Sequence, residues 1–178
     1  MPKQDQGINQ SRYKVIPRTL IFLFKGEDVL LIKGRNSKSI WPNVYNGIGG
    51  HIEQGENVIQ SAKRELVEET GLVDQSLWIC GTILIDTGDK DTGILIFVLK
   101  GEYHGGKLVD SDEGTLSWVN INQLENLPVV EDLPVVLPLV YKHCLNESVF
   151  SGGYQYNKSG NLMIEVYGSP EVGSGFRS

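Results

Sequence analysis

The segment from Gly47 to Leu72 constrains this chain more than any other. A glycine cluster, Gly47-Ile48-Gly49-Gly50, leads through a polar turn into one helical stretch, and runs of β type stand on both sides of it. Within Asn57 to Thr70, Val58, Ile59, Ala62 and Leu66 recur at spacings of three, four and seven, the period of an amphipathic helix. Gly71 follows as a residue that can take the left-handed conformation at a helix end.

The flanking runs define the rest of the fold. Thr19-Leu20-Ile21-Phe22-Leu23-Phe24 and Val29-Leu30-Leu31-Ile32 are rich in β-branched, aliphatic and aromatic residues and are parted by Lys25-Gly26-Glu27-Asp28, which predicts a hairpin. Ser76 to Asp86 and Ile94 to Lys100 form a second antiparallel pair about the turn Gly88-Asp89-Lys90-Asp91. Thr115 to Val119 is a further short strand, and Asn120-Ile121-Asn122-Gln123-Leu124 suits a capped helix or a turn. A second helix is expected from Leu133 to Asn146, capped by Asp132, with Pro134 in its first turn and a kink at Pro138. Ser148 to Tyr156 and Leu162 to Tyr167 make a last hairpin across Asn157-Lys158-Ser159-Gly160-Asn161. Strands and helices are interleaved around one sheet, so the class is α/β with a mixed, largely antiparallel-paired sheet.

At 178 residues, 40% hydrophobic and 21% charged, the chain is long and apolar enough to bury a core as one compact domain. That domain is expected over residues 15–168. The polar segment 1–14 and the Gly/Ser-rich tail 169–178 are read as mobile, without function. The balance of 16 Lys+Arg against 22 Asp+Glu excludes a broad basic face, so no nucleic-acid partner is expected. Cys80 and Cys144 lie far apart without a CxxC pairing and are read as two small core residues rather than a disulfide or a zinc site. The start has no apolar core of signal type, and no stretch approaches the ~18 uncharged apolar residues of a membrane helix, so a cytoplasmic setting without a membrane partner is expected.

The chemistry lies on the first helix. Separations of three and four residues put Glu65, Glu68 and Glu69 on adjacent positions of one face, with Glu56 just upstream. Two like charges ~4 Å apart repel by roughly 4 kcal/mol at an effective dielectric near 20, so this face needs a bound cation, a nearby arginine or strong solvation. An E-x-x-E-E run alone reads as a solvated helix face. Arg64 stands four residues before Glu68 and can pair within the cluster, and hard oxygen ligands select magnesium or manganese rather than zinc. The glycines before the helix permit unusual backbone angles.

Gly50, Glu56, Arg64, Glu65, Glu68, Glu69 and Gly71, with aliphatic Leu66 and Leu72, fit G-x5-E-x7-R-E-U-x-E-E-x-G-U at every position. This is the Nudix box, and the chain resembles a Nudix hydrolase. The resemblance implies a Nudix α/β/α sandwich that hydrolyses nucleoside diphosphates linked to another moiety, with Mg2+, or Mn2+ as substitute. It further implies Glu65, Glu68, Glu69 and the main-chain carbonyl of Gly49 as metal ligands, with Glu65 as general base and Arg64 holding the ligands in orientation. Asp110-Ser111-Asp112-Glu113, ahead of Trp118, matches the family's outer ligand segment; Glu113 is the candidate there, against a reading as a turn carboxylate.

Trp41 to Gly50, Arg18-Thr19-Leu20, Ser111-Asp112-Glu113 with Trp118, and Glu131-Asp132 with Leu137-Pro138-Leu139 are similar to the branch that cleaves oxidised purine nucleoside triphosphates, the 8-oxo-dGTP diphosphatases. The small-molecule nucleotide would then be cut to a monophosphate and pyrophosphate by attack at the β-phosphorus. Thr19 and Asn46 would contact base or sugar, and Glu131 or Asp132 would read a purine edge. Lys33 or Arg35 either reaches phosphate or is a solvated strand-end charge, and Trp41, Tyr45 and Trp118 either stack on a base or pack. Thr87-Gly88-Asp89-Lys90 lacks the proline or tyrosine usual for enzymes of ADP-ribose or dinucleoside polyphosphates, which remain the alternative substrates. A catalytically silent nucleotide sensor is disfavoured because Arg64, Glu65, Glu68 and Glu69 are all present.

Overall fold

The computed structural model describes Asp5, Gly7, Asn9, residues 11–35 and residues 42–168. Trp41, with its two alternatives of stacking and packing, and the tail from 169 lie outside the described residues, as does most of the segment before residue 11. The elements run β1 (Lys14–Lys25), β2 (Asp28–Gly34), β3 (Tyr45–Asn46), α1 (Val58–Thr70), β4 (Ser76–Ile85), β5 (Thr92–Glu102) and β6 (Gly114–Asn120). A 3-10 turn (Ile121–Asn126), α2 (Leu133–Lys142), β7 (Phe150–Tyr156) and β8 (Leu162–Tyr167) follow.

One mixed sheet contains every strand, in the order β3-β2-β1-β5-β4-β7-β8, with β6 also paired to β2. The three hairpins expected from turn chemistry are present as the antiparallel pairs β1-β2, β4-β5 and β7-β8. Two parallel pairings join them, β1-β5 and β4-β7. β1 begins at Lys14, earlier than the expected run from Thr19, because it lies in register with β5 from Lys14↔Thr92 to Phe24↔Glu102. That pairing spans most of the first half of the chain, and no local pattern announces it.

The alternation of β1 divides the core between the two faces of the sheet. Ile21 and Leu23 pack with Ala62 and Leu66 of α1, and Phe22 and Phe24 pack with Leu133, Val136, Leu137 and Val140 of α2. α1 is fixed at both ends. The Asn57 side chain accepts from the Gln60 N–H at 3.0 Å while Gln60 accepts from the Asn57 N–H at 2.9 Å, a reciprocal cap. Gly71 closes the helix at φ 73°, donating its N–H to Val67.

α2 stops at Lys142, short of the expected Asn146. His143 is already extended, and the Lys100 ammonium draws the carbonyls of Tyr141 and His143 out of any further helical turn. Asp132 stands at the N-cap position but does not cap with its side chain, because that carboxylate is engaged by Tyr154. Cys80 is buried as expected; Cys144 is not a core residue, since it falls in the exposed turn after α2. No helix among the described residues is long and apolar enough to cross a membrane.

Candidate active site

After β3 the glycine turn runs back along β1. Ile48 and Ile21 exchange backbone hydrogen bonds of 2.7 and 3.1 Å, and the Thr19 N–H donates to the Gly50 carbonyl at 2.9 Å. Gly49 has φ +145°, and a Cβ there would stand 2.2 Å from the Thr19 carbonyl oxygen, so no other residue fits. At Gly50 a Cβ would meet Glu65 Oε1 at 2.5 Å: the carboxylate of Glu65 rests against the bare glycine.

Arg64 organises the acidic face. Its Nε and Nη2 hold both oxygens of Glu56 at 2.7 and 3.0 Å, a planar fork on a planar carboxylate. Nη1 donates to Glu65 at 2.7 Å and to Glu68 at 3.0 Å, and Nη2 also reaches the His51 carbonyl at 2.9 Å. Hydrogen bonding from Arg64, aided by the Glu53 N–H, holds the Glu56 carboxyl down at about 2, and Glu56 and Glu65 together push the guanidinium of Arg64 up. Of the three remedies for crowded carboxylates, the arginine is the one visible here.

The three box glutamates differ in environment. Glu69 is buried and accepts a long 3.4 Å bond from the Gly49 N–H. Glu65 is half-buried, whereas the Glu68 side chain is 57% exposed and turns to Arg64. A cleft of about 490 Å³ crosses this end of the sheet and brings together Gly49, Glu65, Glu69 and Glu113 with Thr19, Asn46, Glu131 and Asp132. Arg64, Glu68 and Lys33 stand outside its lining. The Lys33 ammonium lies 5.5 Å over the Tyr45 ring, and Arg35 binds the Ser111 carbonyl at 2.9 Å with Asp112 at 3.6 Å. Trp118 packs edge-on to Tyr103 at 5.0 Å and Tyr45 packs against the α2-side core, the packing alternative for both rings.

The far wall carries Asp132 and Tyr154. The Tyr154 hydroxyl donates to Asp132 Oδ2 at 3.0 Å. Burial raises the Asp132 carboxyl above the ordinary carboxylate range against the pull of that hydrogen bond, and burial with the neighbouring Asp132 raises the Tyr154 hydroxyl as well. Asp132 is half-buried and Glu131 exposed.

Arg18 and Tyr154 line the cleft although neither was among the expected site residues. Strand alternation carries the signal for both: Arg18 lies two residues before Leu20 and four before Phe22, and Tyr154 lies four after Phe150.

Glu65, Glu69, Glu113 and the carbonyl of Gly49 offer oxygen donors only, a set that fits a hard divalent cation. Among the described residues no three acidic, His or Cys side chains converge closely enough to hold an ion as they stand, and Glu65 and Glu68 both turn to Nη1 of Arg64.

The NUDIX domain model matches residues 14–140, and the chain belongs to the Nudix family. It is a hydrolase acting on phosphoric anhydride bonds, of the class that takes nucleoside diphosphate derivatives and generally uses divalent metal ions. It is 24% identical over 145 residues to the oxidized purine nucleoside triphosphate hydrolase of Mus musculus, covering 82% of this chain and 89% of that one. With the Danio rerio protein of the same name it shares 28% over 106 residues, 60% of this chain and 67% of that one. An NAD-capped RNA hydrolase NudC of Stutzerimonas stutzeri is 27% identical over 131 residues, 72% of this chain but only 45% of that protein. Among solved structures, the MutT protein of Bacillus halodurans has the same fold, with a TM-score of 0.66 at 23% identity over 85% of this chain and 97% of that one. The NUDIX domain of Shewanella oneidensis NrtR, solved with ADP ribose, gives 0.57 at 14% identity over 78% and 96%.

Proposed function

We propose that this chain is a pyrophosphohydrolase of oxidised purine nucleoside triphosphates, dependent on Mg2+ with Mn2+ as substitute, that releases a nucleoside monophosphate and pyrophosphate by attack at the β-phosphorus. One observation carries the reading: one cleft has box carboxylates on its α1 wall and the acidic pair Glu131 and Asp132 on its α2 wall, a phosphate end and a base end. The relatives named for oxidised purine triphosphates support the choice of branch.

When bound, the divalent ion neutralises phosphate charge and lowers the pKa of an attacking water. Glu65, Glu68, Glu69, Glu113 and the Gly49 carbonyl would hold it. Glu65 takes the proton of the attacking water at the oxygen not held by Arg64, and the contact with bare Gly50 fixes where that carboxylate stands. Arg64, gripped by Glu56 on both oxygens, is a positioning residue that keeps Glu65 and Glu68 from swinging apart. Asn46 and Thr19 contact base or sugar, and Asp132, steadied by Tyr154, accepts from the N–H groups of a purine edge.

The test is hydrolysis of 8-oxo-dGTP, dGTP, ADP-ribose and diadenosine tetraphosphate in magnesium buffer, with products resolved. The reading expects the highest kcat/KM on 8-oxo-dGTP, with monophosphate and pyrophosphate as products; preference for ADP-ribose or the dinucleotide overturns it.

A further inference from the structure

Tyr154 is 3% exposed and belongs to the core packed with α2, yet it carries a hydroxyl that this packing does not use. Phe150, four residues earlier on β7, is buried in the same cluster without one. The Tyr154 hydroxyl donates to Asp132 Oδ2 at 3.0 Å, and both residues line the cleft. The backbone behind this donor is fixed on both sides. Tyr154 stands opposite Ile85 of β4 and Ile164 of β8, and its carbonyl accepts from the Asp86 N–H at 2.9 Å.

The start of α2 asks nothing of the Asp132 side chain. Asp132 has φ −87° and ψ −17°, helical angles rather than the extended ones of a capping residue. Pro134 has no N–H to cap, the Leu133 N–H donates to the Val130 carbonyl at 3.1 Å, and the Val135 N–H donates to the main-chain carbonyl of Asp132 at 3.0 Å. Among the described residues, Tyr154 is the one side chain that bonds this carboxylate. The terminal torsion of an aspartate is broad and roughly two-fold, so a carboxylate without a partner turns about its own axis. A hydrogen bond to Oδ2 stops that turning and leaves Oδ1 with a set direction, as recognition of a hydrogen-bonding edge requires.

Resting on the proposed purine nucleotide reading, we infer that Tyr154 is a positioning residue for base recognition: its hydroxyl, by fixing Oδ2 of Asp132, aims Oδ1 at the bound purine. The experiment measures kcat and KM for 8-oxo-dGTP in the wild type, Tyr154→Phe, Asp132→Ala and the double variant, with a melting temperature for each. Tyr154→Phe keeps the ring and removes only the hydroxyl, so it should raise KM about tenfold with kcat near wild type and a melting temperature within a few degrees. In the Asp132→Ala background the same change should add nothing, because the hydroxyl acts only through that carboxylate. An unchanged KM in Tyr154→Phe overturns the inference, as does an equal rise in both backgrounds. A fall in kcat and melting temperature with KM constant assigns the hydroxyl to the scaffold and overturns it too. A wild type inactive on 8-oxo-dGTP overturns the purine reading and the inference together, whereas good turnover without any dependence on the Tyr154 hydroxyl overturns the inference alone.

Discussion

The α1 wall of the cleft is charged, partly wet and bonded to itself through Arg64, whereas the wall beside α2 has one carboxylate tied to one tyrosine above an apolar floor that includes Ile85 and Ile96. On the first wall, the adjacent guanidinium of Arg64 holds the Glu56 carboxyl well below the ordinary carboxylate range. On the second, burial works against ionisation of Asp132. The first environment suits charge neutralisation and proton removal, the second discrimination between hydrogen-bonding edges, where a misplaced donor or acceptor costs most.

Four changes probe the acidic wall. Replacing Glu65 by Gln keeps shape and removes the base, so kcat in magnesium should fall by about 10²–10⁴ with an unchanged melting temperature; an unaltered kcat removes Glu65 from the chemistry. Arg64→Lys keeps the charge but cannot span Glu56, Glu65 and Glu68 together, and activity should drop about 10- to 100-fold. The two glycines separate stability from activity. Gly49→Ala drives a Cβ into a backbone carbonyl at positive φ and should cost about 1–3 kcal/mol in denaturant unfolding. Gly50→Ala meets only the movable end of Glu65, so stability should hold while kcat falls about tenfold.

The smallest effect is one of pH. Between about 4.5 and about 2 the unfolded chain takes up a proton at Glu56 that the folded chain refuses, so Glu56 contributes stability above this window and loses it as pH falls through it. Glu56→Gln should flatten that part of the stability profile, measured by thermal melts across the window. Asp132 has the opposite sign: its carboxyl is raised in the folded state, so its contribution declines as pH rises above the ordinary carboxylate value of 3.8.

The contrast between the walls also explains what the sequence made legible. The α1 wall is local: Glu65 and Glu69, which line the cleft, share one helix with Arg64 and Glu68 behind them, the helix period is written in Val58, Ala62 and Leu66, and a turn of glycines precedes it. The hairpins were legible for the same reason, each being signalled by its own turn. The α2 wall is assembled from far-apart segments, with Tyr154 of β7 meeting Asp132 before α2 and Arg18 arriving from β1 through the parallel pairing with β5. Parallel register has no local signal, so the length of β1, the Tyr154 contact and the place of Arg18 emerged only with the fold. The end of α2 was missed because Lys100, more than forty residues upstream, takes the carbonyls there.

The division of labour between the walls is tested most directly by measuring kcat/KM for 8-oxo-dGTP and dGTP on Asp132→Ala and Glu65→Gln side by side. Asp132→Ala should shrink the ratio between the two nucleotides while keeping kcat near wild type, and Glu65→Gln should lower both values together and leave the ratio intact. Loss of activity by both variants in the same proportion on both nucleotides would contradict separate tasks for the two walls.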